Sequence, residues 1–247
     1  MRKTIILTLQ VLLIIFIIMG LAGCGESVNK TLSETNEANE TSTLFQLQQP
    51  MEGDKIAIVE TELGAIKFKL FTDLSPQSVD IFRNYTNSEY YSNVEFDRIE
   101  PGFINQIDYK ATFPDDVDEA EKLCYPHEDS LELKHIKGAV SLIYQYGEYV
   151  SPSLAFVMGG DVSQEELHLM AYLGEEFYIK DIVAVYREGG GMPSFDGRFT
   201  VIGQVYEGYD VLEAINQLPV EEAADNKSQH LPKEPLAIKR ITIEKYK

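Results

Sequence analysis

Residues 96–106 read FDRIEPGFINQ, and this run constrains the fold more than any other stretch of the chain. Apolar positions form a strand face up to Ile99, Pro101 and Gly102 break it, and Phe103 with Ile104 restart it. That pattern predicts two short strands around a turn. Planted among the residues that such strands bury are Arg98, Phe103 and Gln106: a fixed cation, a flat apolar ring and an amide. An inward cation requires a carboxylate partner or a ligand-facing cavity. Two readings of Arg98 follow. It is either an edge-strand residue in a weak surface pair with Asp97 or Glu100, or part of a binding site.

The chain has 247 residues, 44% of them hydrophobic, enough for one large domain or two small ones with a sizeable core. Forty acidic residues face 21 basic ones, a net charge of −19. This balance offers no basic footprint, so neither nucleic acid nor anionic lipid head groups are expected partners. Of the two cysteines, Cys24 belongs to the N-terminal signal described next, and Cys124 is left without an intramolecular partner.

Arg2 and Lys3 precede an apolar run over residues 5–19, closed by Leu21, Ala22, Gly23 and Cys24. Charged, apolar and small-residue regions in this order are the plan of a signal peptide over residues 1–23. An uncleaved membrane helix is the alternative, since the run approaches the length that spans a bilayer. Both place the remainder outside the membrane, because the basic residues stay cytoplasmic. The closing residues resemble a bacterial lipoprotein signal, which implies lipidation of Cys24 and anchoring at the extracytoplasmic face of the cell membrane. Residues 24–54, rich in Glu, Asn, Ser and Thr, read as a disordered tether.

From residue 55 the pattern changes. Residues 56–61 and 66–71 are strand-like around Leu63 and Gly64, which predicts a hairpin. Ser75 and Pro76 open an amphipathic helix over 76–87, with Val79, Phe82 and Tyr85 on its apolar stripe. An acidic loop is expected over 108–130. Runs at 138–144, 154–158, 200–205 and 238–246 have strand length. Asp210 and Glu213 form a capping-box pattern ahead of Val211, Ile215 and Leu218, a second helix. Many short strands with two separated helices predict a mainly β fold, a closed antiparallel barrel that leaves no sheet edge exposed. Residues 163–188 interrupt this pattern with helical signals: Ser163 with Glu166 as a capping box, a stripe of Tyr178, Ile182, Val185 and Tyr186, and glycines from Gly189 as a stop.

Taken in order, FxRxxPGFxxQ resembles the active-site strand pair of the cyclophilin-type peptidyl-prolyl isomerases. Further matches follow along the chain: Glu60 to Gly64 at a first hairpin, Ser75 and Pro76 at a first helix, Leu133, His135, Gly138 and Ser141 at a mid-barrel strand, and Phe195, Asp196 and Gly197 before a late strand. The resemblance covers 55–247 and implies an eight-stranded barrel with a helix over each end. The helical segment 163–188 is an insertion by that comparison.

The resemblance also implies roles. Arg98 matches the arginine that donates a hydrogen bond toward the prolyl nitrogen. Phe103 and Phe156 match aromatic walls around the proline ring, Phe195 an apolar residue closing the pocket, and Gln106 the amide that holds substrate backbone and steadies the arginine. Tyr144 stands where the family has a substrate-binding Asn and Phe199 where a His is common. Leu154 replaces a second Gln, Ser194 a frequent Trp, and Ile107 with Asp108 a Gly pair. The site is therefore divergent, with attenuated isomerase activity expected.

His127, His135, His168 and His230 have no ligand spacing, so neither a metal nor a cofactor is expected. Ser141 and Ser153 stand without triad context. Expected partners are proline-containing polypeptides among exported proteins and the membrane through the lipid; the chain is expected to be a monomer. A proline-peptide-binding holdase or adaptor without useful turnover is the alternative to a foldase.

Overall fold

In the computed structural model the described residues are 44–92, 94–108, 126–145, 149–224, 226–227 and 229–247. The signal, Cys24, most of the tether, Cys124 and most of the acidic loop lie outside them. Eight strands close into an antiparallel barrel: β1 (Lys55–Thr61), β2 (Ala65–Leu70), β3 (Glu95–Glu100), β4 (Ile104–Ile107), β5 (Ala139–Gln145), β6 (Tyr149–Val157), β7 (Thr200–Glu207) and β10 (Leu236–Lys245). Their order around the barrel is β1-β10-β3-β4-β6-β5-β7-β2. Closure pairs every one of these edges, as the pattern of short strands required. A separate hairpin of β8 (Val220–Glu222) and β9 (His230–Pro232) lies against β3.

Helix α1 (Pro76–Asn87) forms where its stripe predicts, burying Val79, Ile81 and Phe82 in the main core. Its cap differs from the expectation. Ser75 donates its hydroxyl to Val201 O at 2.7 Å, and the backbone amides of Gln77 and Ser78 donate to the Glu128 carboxylate at 3.1 and 2.8 Å. An anion from 50 residues away thus fills the helix N-terminus. The later helix, α4 (Tyr209–Asn216), starts one residue before the expected capping box, so Gly208 is its N-cap and Asp210 sits inside the first turn. Val211, Leu212 and Ile215 bury into the same core as α1, which holds Phe68, Phe82, Phe96 and Phe156.

The insertion forms two helices, α2 (Gln164–Leu173) and α3 (Lys180–Gly189). Ser163 and Glu166 make the capping box reciprocally, with Ser163 N to Glu166 Oε2 at 2.8 Å and Glu166 N to Ser163 Oγ at 3.2 Å. Leu167, Met170, Ile182 and Tyr186 form a second small core with Ile136 and Leu44.

Leu44 corrects the expected tether boundary. Residues 44–54 belong to the domain: Phe45–Leu47 is a short 3₁₀ helix, and the fully buried Gln46 bonds Lys134 O at 2.8 Å, Lys134 N at 2.9 Å and Gln204 Oε1 at 2.9 Å. Their sparse apolar content hides this packing, which an amide carries out by pairing backbone groups.

Candidate active site

The turn between β3 and β4 sets the position of everything on this face. Phe103 N donates to Glu100 O at 2.9 Å, closing the turn, and Gly102 takes a φ of 79° that a side chain would oppose. Asn216, the last residue of α4, pins it from the side: it accepts from Gly102 N at 2.7 Å and donates to Asn105 Oδ1 at 2.7 Å.

Strict alternation along β3 would put Phe96 and Arg98 on one face. A register shift between them prevents this, since Phe96 pairs with Ile107 while Arg98 pairs with Gln106. The extra residue, Asp97, makes a β-bulge that sends Phe96 into the core and Arg98 outward. Arg98 then lines a cleft of about 650 Å³ together with Glu100, Phe103, Ile104 and Gln106 from β3 and β4. Ile143 from β5, and Met192, Phe195, Arg198 and Phe199 from the segment before β7, complete the lining.

Polar contacts fix the cation. Arg98 donates from Nη1 to Gln106 Oε1 at 3.1 Å and from Nε to Glu100 Oε1 at 3.0 Å. Gln106 donates onward to Ser153 Oγ at 2.8 Å, whose hydroxyl reaches Ile107 O at 2.9 Å. Arg98 thus has an acidic partner, Glu100, as one reading required, but the pair is sheltered on a strand paired on both sides and faces a cleft.

The apolar side of the cleft is aromatic. Phe195 and Phe199 meet edge to face at 4.8 Å, and the Arg198 guanidinium lies 5.6 Å from the Phe199 ring centroid. Phe103 stands 48% exposed at the rim, against Gly160, where an added Cβ would meet its ring at 3.0 Å.

Phe156 does not join this group, correcting its expected role as a pocket wall. β6 pairs Ala155 with Gln106 and Phe156 with Asn105, so Phe156 faces the barrel interior, between Phe68 and Phe96 at 6.0 and 5.8 Å. The same register puts Ser153, not Leu154, beside Gln106; Leu154 is fully buried in the core. Tyr144 lies on β5 opposite Val150, and its side chain is outside the described residues.

Ser141 is also corrected, because His135 and Asp196 come into line with it. Asp196 Oδ1 accepts from His135 N at 2.9 Å and sits 2.8 Å from Nδ1, while Nε2 lies 3.0 Å from Ser141 Oγ. Ser141 is fully buried, its Oγ also reaches Thr200 O at 3.0 Å, and it is not among the residues lining the cleft. An enclosed hydroxyl cannot meet a substrate. What the group does is hold the 3₁₀ turn Pro193–Phe195 in place: Met192 N donates to His135 O at 2.8 Å, and the Phe195 ring stands edge-on to His135 at 5.6 Å. Tyr186 of the insertion donates to Asp196 Oδ2 at 2.6 Å. Burial, then Asp196, pushes the Tyr186 hydroxyl well above the ordinary tyrosine range. Among the described residues no three His, Cys, Asp or Glu side chains converge as a metal site.

The sequence reading named Glu100 only as a surface partner of Arg98 and missed Ile104, Ser153, Ile143, Met192 and Arg198 as members of the site or its support. Only Glu100 carried a signal, as an acidic residue two positions from Arg98.

Comparison with known proteins bears on the whole barrel. The family profile described as cyclophilin type peptidyl-prolyl cis-trans isomerase matches residues 56–243. A protein of Staphylococcus saprophyticus assigned as a peptidyl-prolyl cis-trans isomerase is 30% identical over 69% of this chain and 85% of its own length. One from Staphylococcus epidermidis with the same assignment is 28% identical over 81% of this chain and 97% of its own. Among solved structures, a Cryptosporidium parvum cyclophilin type peptidyl-prolyl cis-trans isomerase superposes with a TM-score of 0.54 at 18% identity. It covers 79% of this chain and 99% of the other, a likeness of fold.

Proposed function

The chain belongs to the cyclophilin type peptidyl-prolyl cis-trans isomerase family, and from that premise we propose that the Arg98 cleft is where this isomerase turns X-Pro bonds. The barrier to that turn is amide resonance, about 18–20 kcal/mol. The proline ring would rest on Phe103, Phe195, Phe199 and Met192. Arg98 would donate to the prolyl nitrogen, whose lone pair localises only as the amide twists, so the bond strengthens at the transition state. Gln106, steadied by Ser153, would hold substrate backbone.

The observation that carries this reading is a cation fixed by two hydrogen bonds at the edge of an aromatic cleft. Exchange spectroscopy on a short X-Pro peptide with the full chain tests it. Arg98→Ala is expected to lower catalysed exchange by about 10²- to 10³-fold while peptide binding persists. Fast exchange indifferent to Arg98 would refute the role.

The clients we propose are exported polypeptides, met outside the cytoplasmic membrane by a lipid-anchored chain. Support for the anchor is the sequence Leu21, Ala22, Gly23, Cys24 closing an apolar run. Two acyl chains anchor stably where one does not. Incorporation of a labelled fatty-acid precursor should vanish in Cys24→Ser, and label persisting there would exclude the anchor.

A weak catalyst that mainly holds proline segments is the second reading. It is favoured by Phe156, expected as an aromatic wall, packing into the barrel interior while Ala155 stands across from Gln106. A wild-type chain that binds the peptide yet never speeds exchange would establish it.

A further inference from the structure

We infer that Glu100, clamped by His230 of the β8–β9 hairpin, is the positioning residue that sets the plane of the Arg98 guanidinium; this rests on the proposed role of Arg98. Both carboxylate oxygens of Glu100 are engaged. Oε1 accepts from Arg98 Nε at 3.0 Å and from the His230 backbone N–H at 3.2 Å, while Oε2 lies 2.7 Å from His230 Nδ1. An ionised carboxylate only accepts, so Nδ1 carries the proton in this contact.

The surface pair Arg240–Glu60 is as short but far more open to solvent. The Arg240 and Glu60 side chains are 62% and 35% exposed, against 21% for Arg98 and 13% for Glu100. A sheltered, charge-assisted bond orients its donor more firmly than an exposed one.

The geometry explains why a second hold matters. Gln106 grips the guanidinium at Nη1 and Glu100 grips it at Nε, so two bonds at different corners fix a planar group against rotation. Removing the Nε hold takes away one corner of this grip and loosens the plane of the guanidinium. Catalysis that depends on a donor aimed at one nitrogen is sensitive to such loosening, whereas apolar grip on the proline ring is not. Glu100 is itself tied down by its main chain: its carbonyl accepts from Phe103 N at 2.9 Å and from Asn216 Nδ2 at 3.3 Å. The hairpin therefore enters the site by supplying the His230 clamp.

The test is steady-state exchange kinetics on the full chain with Glu100→Ala, Glu100→Gln, His230→Ala and Arg98→Ala, alongside the Arg98 Nε–H resonance, assigned by its loss in Arg98→Lys. Glu100→Ala should lower kcat about tenfold with KM nearly unchanged, and its Nε–H should exchange with water faster than in wild type. Glu100→Gln, which keeps an acceptor oxygen, should recover part of kcat, and His230→Ala should show a smaller loss of the same kind. Should Glu100→Ala fail to fold, the Glu100→Gln and His230→Ala pair decides. If Arg98→Ala abolishes catalysis while the Glu100 and His230 variants match wild type in kcat and in Nε–H exchange, the inference falls and the role of Arg98 stands. A change in KM alone would also overturn it, by making Glu100 a substrate contact. If Arg98→Ala itself is silent, the proposed role of the cleft fails instead.

Discussion

Phe103 and Phe156 carry the same side chain and meet opposite fates. Phe156 is fully buried among rings, so Phe156→Ala should cost about 3–5 kcal/mol of stability in chemical unfolding while the folded fraction keeps its KM. Phe103, about half exposed at the cleft rim, should do the reverse when truncated: a raised KM with a stability change below about 1 kcal/mol. A Phe156→Ala chain that stays stable but loses substrate would put the ring back in the pocket. Patterning singled out Arg98, Phe103 and Gln106 as a cation, a ring and an amide on one strand pair, and the family resemblance added Phe195 and Phe199; all five line the cleft. The resemblance misplaced Phe156 because the face of a residue in β6 depends on its pairing with β4, and a one-residue slip exchanges the faces. The bulge at Asp97 is likewise a property of two strands together and leaves no mark in either alone.

Helices announced themselves in the sequence, and their ends did not. The stripes of α1 and of the insertion follow helical spacing, whereas the Glu128 cap on α1 comes from a distant loop and the β8–β9 hairpin has strands of only three residues. Glu128→Ala should therefore destabilise the fold by about 1 kcal/mol, since it leaves the amides of Gln77 and Ser78 uncapped; an unchanged urea midpoint would deny the cap any weight. The β3–β4 turn hangs on Asn216 at the end of α4, so the element that fills the core also orients the cleft. Asn216→Ala is expected to lose about 1–3 kcal/mol, because the buried Asn105 side chain then loses a partner. The same change should lower kcat along with stability, and a variant as active as wild type would show that the turn holds its shape unaided.

The molecule as a whole buries tyrosine hydroxyls at the joins between its parts. Tyr91, fully buried, donates to Pro152 O at 2.7 Å beneath α1, and Tyr186 joins the insertion to the turn that carries Phe195. Burial first, then neighbouring tyrosines for Tyr91 and Asp196 for Tyr186, push both hydroxyls well above the ordinary value near 10. Such a hydroxyl keeps its proton in the folded chain at a pH where the unfolded chain has released it. Unfolding then releases protons, so rising pH favours the unfolded state. The contribution is whole below about pH 10 and is lost as pH climbs from there toward the folded value. At about pH 10.5 the loss amounts to about 0.8 kcal/mol for each tyrosine that stays protonated when folded. Lysine titration and the net charge of −19 add to the alkaline loss, so the separation comes from variants. Tyr91→Phe and Tyr186→Phe should each start less stable at neutral pH, having lost a hydrogen bond, and then fall less between about pH 8 and about pH 10.5 than wild type does. Urea midpoints at the two pH values measure this directly. Variants whose decline parallels that of wild type would show that these hydroxyls ionise as readily in the folded chain as in the unfolded one.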